Sequence, residues 1–436
     1  MVQKNMLRCL VPLLGLTLLG VLAALYVVDF KDYHRVLATL FGFNTNPNPF
    51  FDWDYIRAGI KCWNEGINVY VTNPCDLMNR PHNYSPLWLR AVFIPTGKAW
   101  TMPIGLGIVL AYLLSLFWLI KPANWRELIV LALACISPMA VYCLERGNAD
   151  AVIFIMLVIA GVLGAGPPAN RILSYSLILL AGLLKFYPLV ALSTVLRERP
   201  RGFFVITAIA ALIIVGFFYR FREEVRAALK NIPRVGWGAV GLPFDGPVSA
   251  LHLFPGLEHF GWFTTLPYAL MGALLIITAI QVMYLARNAK MASAYAKMPE
   301  QDAIFLLIGA AVIAGCFFAG YSKAHRGIHL IFVVAGLVTM RRAAGDPATR
   351  AMLGRAVMLV LFLMWERFFR TALVNPDEVP DSGIALSAYV LLMLFVQVLW
   401  WRLAAILLGV LTIFAINSDF FTSFQRWRGI CRAAQI

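Results

Sequence analysis

The sequence predicts an all-α polytopic membrane protein, and three observations predict it. Of the 436 residues, 61% are hydrophobic and 14% charged, against about 45–50% apolar and about 25% charged in soluble domains. The mean hydropathy is +0.76. Apolar runs recur along the whole chain, and the short turns between them hold most of the lysines and arginines. The net charge of +15 therefore reads as topological charge on one membrane face, and nucleic acid is not an expected partner.

The first run, 9–28, follows Lys4 and Arg8 in the manner of a signal peptide. It extends for about 20 residues, beyond the 7–15 of a signal core, with no clean cleavage site. It is expected to remain as the first membrane helix, its N-terminus in the cytoplasm. Further runs follow at 103–120, 127–143, 150–167, 173–195, 203–219 and 262–285, then at 304–320, 327–340, 356–369, 384–400 and 403–417. About 12–13 spans are expected, although several runs fall short of the ~20 residues that cross a bilayer unaided. The whole chain, 1–436, reads as one domain.

Orientation follows the basic turns. Lys121/Arg126, Arg171, Arg197/Arg199/Arg201, Arg287/Lys290/Lys297 and Arg341/Arg342/Arg350/Arg355 mark one side as cytoplasmic. Loops 29–102, 144–149, 220–261, 321–326 and 370–383 then face outward. The 173–195 run lies between Arg171 and Arg197, so it is expected to be a hairpin with an outer tip, broken at Pro188. Arg426, Arg428 and Arg432 argue for a cytoplasmic C-terminus, whereas the span count argues against it. The cytoplasmic turns are short and contain no phosphate-binding loop or dinucleotide fingerprint. Any chemistry is expected at the outer face without a nucleotide donor.

The seven cysteines are too few for a disulfide scaffold. Cys9, Cys135 and Cys316 fall in apolar runs. Cys62 and Cys75 share the first outward loop, where both a disulfide and two unpaired thiols are open readings. No HExxH, CxxC pair or EF-hand loop is present, so neither a metal nor another cofactor is expected.

Polar residues at the outer helix ends carry the functional signal, because ionisable groups near a bilayer are costly and usually face a cavity. "FFDWDYIRAG" (50–59) places Asp52 and Asp54 among aromatics. "NYSP" brings Tyr84 before a short apolar run, 87–95, expected to lie in the interface or re-enter. "CLERGNAD" carries Glu145, Arg146, Asn148 and Asp150; "LLKFYP" carries Lys185 and Tyr187; "GYSKAHRGIH" carries Lys323, His325, Arg326 and His329. Carboxylates, a histidine and cations on one side suit glycosyl transfer from a lipid phosphate. Cations hold the anionic leaving group, and a carboxylate takes the acceptor's proton. Simpler readings stand beside these: either aspartate as a helix cap, Arg146 paired with Glu145 or reaching to headgroups, and His329 as a packed helix residue. Glu366 and Arg367 read as an internal ion pair or as part of the lining.

An aspartate before an aromatic, then "GINVY", "NYSPLWL", "ERGNADAVI", "LLKFYPLVAL" and "YSKAHRGIHL", spread from about residue 50 to 330, resemble a known family. It is that of the polyprenyl-phosphate-mannose-dependent glycosyltransferases of the GT-C superfamily, in the group that includes the mycobacterial phosphatidylinositol-mannoside mannosyltransferase. The resemblance implies a GT-C fold with juxtamembrane helices in the first outward loop, and an inverting reaction with the loop aspartate as general base. That role carries to Asp52, with Asp54 as a second catalytic candidate. By charge, Lys185, Arg146, Lys323 and Arg326 fall to the donor phosphate. His325, Asn148, Tyr84, Tyr187 and Glu145 fall to the donor and acceptor cavity. The implied partners are a polyprenyl-phosphate sugar, a glycolipid or glycan acceptor and membrane lipids, with the protein as a monomer. The Cys62/Cys75 pair and the long 220–261 loop, expected to shape acceptor choice, depart from the mycobacterial pattern. A lipid-linked glycan flippase and an O-antigen polymerase or ligase are the alternatives.

Overall fold

A computed structural model describes residues 2–232, 261–319, 324–373 and 383–425. Its regular elements are helical throughout these residues. Met6–Val28, Lys98–Leu119, Pro200–Arg220, Thr265–Ala286, Glu300–Phe318, Pro347–Thr371 and Leu391–Asn417 are the 7 helices long and apolar enough to cross a membrane among the described residues. A bent pair, Trp125–Cys135 and Pro138–Glu145, adds one more if it counts as a single span. The chain is thus an all-α polytopic membrane protein.

In order, the helices are α1 (Val2–Val28), α2 (Phe30–Val36), α3 (Phe51–Asn64), α4 (Pro86–Leu89), α5 (Thr101–Leu119), α6 (Trp125–Cys135), α7 (Pro138–Glu145), α8 (Ala149–Gly164) and α9 (Pro168–Lys185). A 3-10 helix, Tyr187–Arg197, leads to α10 (Pro200–Arg220) and α11 (Arg222–Lys230). Then come α12 (Gly261–Ala286), α13 (Ala289–Ala296), α14 (Glu300–Phe318), a 3-10 turn (Ala324–His329), α15 (Leu330–Ala343), α16 (Pro347–Leu373) and α17 (Gly383–Asn417).

Burial orders these layers. The α14 span is 78% buried, whereas those of α10 and α12 are 11% and 6% buried. α14 and the wholly buried run Leu330–Met340 of α15 form the centre of the bundle, while α10 and α12 present apolar faces outward, as helices bathed in lipid do. Small residues let the central helices meet closely. A Cβ on Gly309 would lie 2.5 Å from that of Phe332, and one on Gly336 would lie 2.5 Å from that of Leu306.

Two breaks aim polar ends at one place. α6 and α7 meet at 43°, where Pro138 cannot donate to the preceding turn and Ser137 caps the new helix, its Oγ accepting from Ala140 N at 3.4 Å. The hairpin expected at 173–195 exists as α9 and the 3-10 helix packed together, but Pro188 does not break it. The break is Phe186, at φ 62° and ψ −50°, and Pro188 sits just inside the second arm. The tip is therefore the residue after Lys185. The short run at 87–95 becomes the single turn α4, with Trp88 and Leu89 buried and Val92 and Phe93 exposed. Most of the 220–261 loop, Lys323 and the C-terminal arginines lie outside the described residues.

Candidate active site

Helix α3 begins where α7 ends. The last carbonyls of a helix lack intrahelical partners, and here Glu145 O accepts from Phe50 N at 3.2 Å and Arg146 O from Asp52 N at 2.9 Å. The join is tight. Phe50 adopts a left-handed φ of 53°, a costly conformation for an aromatic residue, and Gly147 lies opposite at φ 58°. A Cβ at Gly147 would lie 3.0 Å from that of Phe50 and 3.1 Å from that of Trp53. Only glycine suits both the dihedral and the space.

This join fixes Asp52 against Arg146. Nε of Arg146 donates to Asp52 Oδ2 at 3.0 Å and NH2 donates to Oδ1 at 2.9 Å, a two-point fork. Asn148 Nδ2 donates to the same Oδ2 at 2.6 Å, and Arg80 stands 3.9 Å from Oδ1. Burial would push the Asp52 carboxyl up, but the charge and hydrogen bonds of Arg146 outweigh it and hold the group down at about 2. The side chain keeps 12% of its surface exposed.

Asn148 joins this group to a second carboxylate. It caps α8 through Oδ1, which accepts from Asp150 N at 3.0 Å and from Lys185 Nζ at 2.8 Å. Asp150 itself is 0% exposed and pairs with Lys185 at 2.7 Å. It also accepts from Tyr187 OH at 2.7 Å and lies 3.2 Å from His325 Nε2. Tyr187 OH is shared with His329 Nε2 at 2.7 Å, so His329 closes the network rather than merely packing. Tyr84 OH lies 3.4 Å from Asn148 Nδ2, and Lys185 sits over the Tyr84 ring at 5.1 Å. His325 has its pKa lowered by burial to about 3, so it is a neutral imidazole at physiological pH.

Tyr142 organises the cations on the far side of Arg146. Arg146 lies 5.4 Å and Arg367 5.1 Å from its ring centre, and His325 stacks on it at 6.2 Å. Among the described residues, Arg367 Nε and NH1 are buried without a hydrogen-bond partner, as is Arg326 Nε; the Arg326 guanidinium lies 4.9 Å from the Tyr187 ring and also bonds Cys316. Buried guanidinium donors normally find acceptors. The Arg367 donors, on the ring that also carries Arg146, make a place suited to an anion, while Arg326 lies toward Asp150.

The structure thus brings together Asp52, Arg146, Asn148, Tyr84, Lys185, Tyr187, His325 and Arg326. Asp54 is not among them: it accepts from Thr101 Oγ1 at 2.8 Å and from Arg57 at 2.7 Å on another side of α3. Nor does Glu145 pair with Arg146. Its carboxyl meets Tyr33 and borders an apolar cavity of about 360 Å³ lined by Leu22, Tyr26 and Phe50. Adjacent residues on a helix diverge by about 100°, which also separates Glu366 from Arg367. Tyr142 carries weight that its sequence context did not single out, while Asp150 and Arg367 were named there without a role at the site. Asp150 had a signal, a lone acid opening an otherwise apolar run.

Cys62 and Cys75 form a disulfide that anchors the loop after α3. Glu65 lies 3.8 Å from Cys75 Sγ, but the joined sulfurs leave no thiolate there to bind a metal. Tyr55 holds the same loop, donating to Pro81 O at 2.7 Å and accepting from Asn83 N at 2.8 Å. Compared with known proteins, the chain matches no family model, no curated protein and no solved structure.

Proposed function

We propose that the protein is a membrane glycosyltransferase of GT-C type. It moves a hexose, mannose in the first instance, from a polyprenyl phosphate to a glycolipid or glycan. The observation that carries the reading is the forked Asp52–Arg146 pair, with Arg367 on the same Tyr142 ring as Arg146 and its Nε and NH1 donors unpartnered among the described residues. A carboxylate and an anion site meet at one membrane face, next to apolar surface suited to a lipid tail.

The acceptor oxygen attacks the anomeric carbon while the bond from that carbon to the phosphate oxygen breaks. The electron pair leaves on the phosphate, the acceptor proton passes to Asp52, and the configuration inverts. A carboxylate held at about 2 is a weak base. Its own clamp supplies the remedy: an incoming phosphate draws Arg146 away, and Asp52 then loses the charge that keeps its proton affinity low. Donor binding thereby activates the base. Asp150 is fully enclosed, so it orients Lys185, His325 and Tyr187 rather than touching the acceptor.

Counted with the 7 or up to 8 membrane-length spans among the described residues, the shorter helices α8, α9 and α15 bring this reading to 10 or 11 crossings, short of the 12–13 expected. The disulfide supports an oxidising compartment for the first loop, hence the periplasmic face of a bacterial inner membrane. The test is to incubate purified protein with radiolabelled polyprenyl-phosphate-mannose and a lipid extract of its host. A labelled glycolipid is expected. Absence of product would contradict the reading, and product only from a pyrophosphate-linked glycan would move the enzyme to the polymerase or ligase class.

A further inference from the structure

At the opposite ends of the helices that bear the site, the charges are arranged differently. α6, α15 and α16 converge there on a cavity of about 380 Å³. Arg126, Arg341, Arg342 and Arg350 line it, with Glu127 as its one acid. Glu127 is already engaged, 3.4 Å from Arg342 and accepting from Ala123 N at 2.8 Å. Among the described residues, no carboxylate pairs with Arg126, Arg341 or Arg350. On the other side of Arg342, a second cavity of about 640 Å³ carries Arg8 and Lys297.

A bias of basic residues toward one membrane face explains their side, not their convergence. The helix ends sharpen the point. Arg126 is the second residue of α6 and Arg350 the fourth of α16. Both stand in first turns, where the helix dipole disfavours a cation and favours an anion. The walls are Val130, Val338 and Val357. Beside the cavity, Trp125, Ile129 and Met358 are exposed at 53%, 58% and 60%, as side chains facing acyl chains would be. A soluble anion would gain nothing from such walls, whereas a lipid would fill them.

We propose that this cavity binds the phosphate of an anionic phospholipid, with Arg126, Arg341 and Arg350 as its ligands and the valines against its glycerol and upper acyl chains. The site is separate from the transfer chemistry and does not depend on it.

Native mass spectrometry of the full-length protein in a neutral detergent tests it, titrating dioleoyl phosphatidylglycerol against dioleoyl phosphatidylcholine. The anionic lipid is expected to bind selectively. R126Q/R341Q/R350Q should lose that selectivity, each neutralised arginine weakening binding by about fivefold, while R222Q/R226Q on α11 leaves it intact. Equal binding of the two lipids, or equal loss in both variants, overturns the proposal. Binding of inorganic phosphate that competes with the lipid at equal affinity would assign the cavity to a soluble anion and overturn the lipid. Should the triple variant fail to elute as a single species, R350Q alone, altering one exposed side chain, gives the same contrast at about fivefold.

Discussion

Asp52 and Asp54 belong to one helix turn yet face two regions of opposite character. Asp54 belongs to a local clasp: Arg57, three residues on, and Thr101 at the start of α5. Asp52 belongs to a long-range cluster whose other members come from the α7–α8 turn, the α9 tip and the 3-10 turn before α15. The clasp pairs charges one to one and closes on itself. Among the described residues, the cluster keeps guanidinium donors without acceptors. A closed pair is what a fold uses to hold a helix, whereas an incomplete one leaves work for a ligand.

Breaking each region should give distinguishable losses. The largest is expected from Asp150→Asn, which removes the counter-charge from buried Lys185. About 3–5 kcal/mol of stability should go, read as a large fall in the thermal unfolding midpoint and poor recovery from detergent. Asp54→Ala should cost about 2 kcal/mol, less because Arg57 keeps Thr101 and Thr96 O as acceptors. Transfer per folded molecule should be unchanged, so a loss of turnover in the surviving fraction would break the contrast. Arg367→Ala should raise the donor KM about tenfold through the lost charge-assisted contact, with the acceptor KM unmoved. A change in the acceptor KM alone would remove Arg367 from the phosphate.

A different kind of effect concerns pH. His82 is caged by Tyr55, Tyr70 and Tyr84, and burial lowers its pKa from 6.5 to about 3. Between those values the unfolded chain takes up a proton that the folded chain refuses, so stability falls as pH drops from 6.5 toward 3. His325 adds to the same slope. His82→Gln should flatten it partly, as measured by unfolding midpoints at a series of pH values.

The fold class was legible because hydropathy reports burial in lipid directly. The polar positions of the cluster were legible too, since each interrupts or borders an apolar run. Partnership was not. Arg146 and Arg367 each have a glutamate next to them in sequence, yet neighbouring residues on a helix diverge, and the partners that matter lie some 94 positions apart for Asp52 and Arg146. The hairpin break escaped for a similar reason. Proline is the visible helix breaker, whereas the left-handed Phe186 is imposed by packing between the two arms. Asp150 was visible in its motif but given no role, because an acid in a first turn is an ordinary helix feature. Only the arrival of Lys185, Tyr187 and His325 from elsewhere distinguishes it.

The most direct measurement compares Asp52→Asn and Asp54→Asn in one assay with labelled polyprenyl-phosphate-mannose, scoring donor retained on the protein and glycolipid formed. Asp52→Asn, which frees Arg146 for the phosphate, should hold donor at or above the wild-type level while product formation falls by about 10²–10⁴-fold, the usual contribution of a general base. Asp54→Asn should form product at close to the wild-type rate. Equal rates from the two variants would contradict the assignment of Asp52 and, with it, the account of this site.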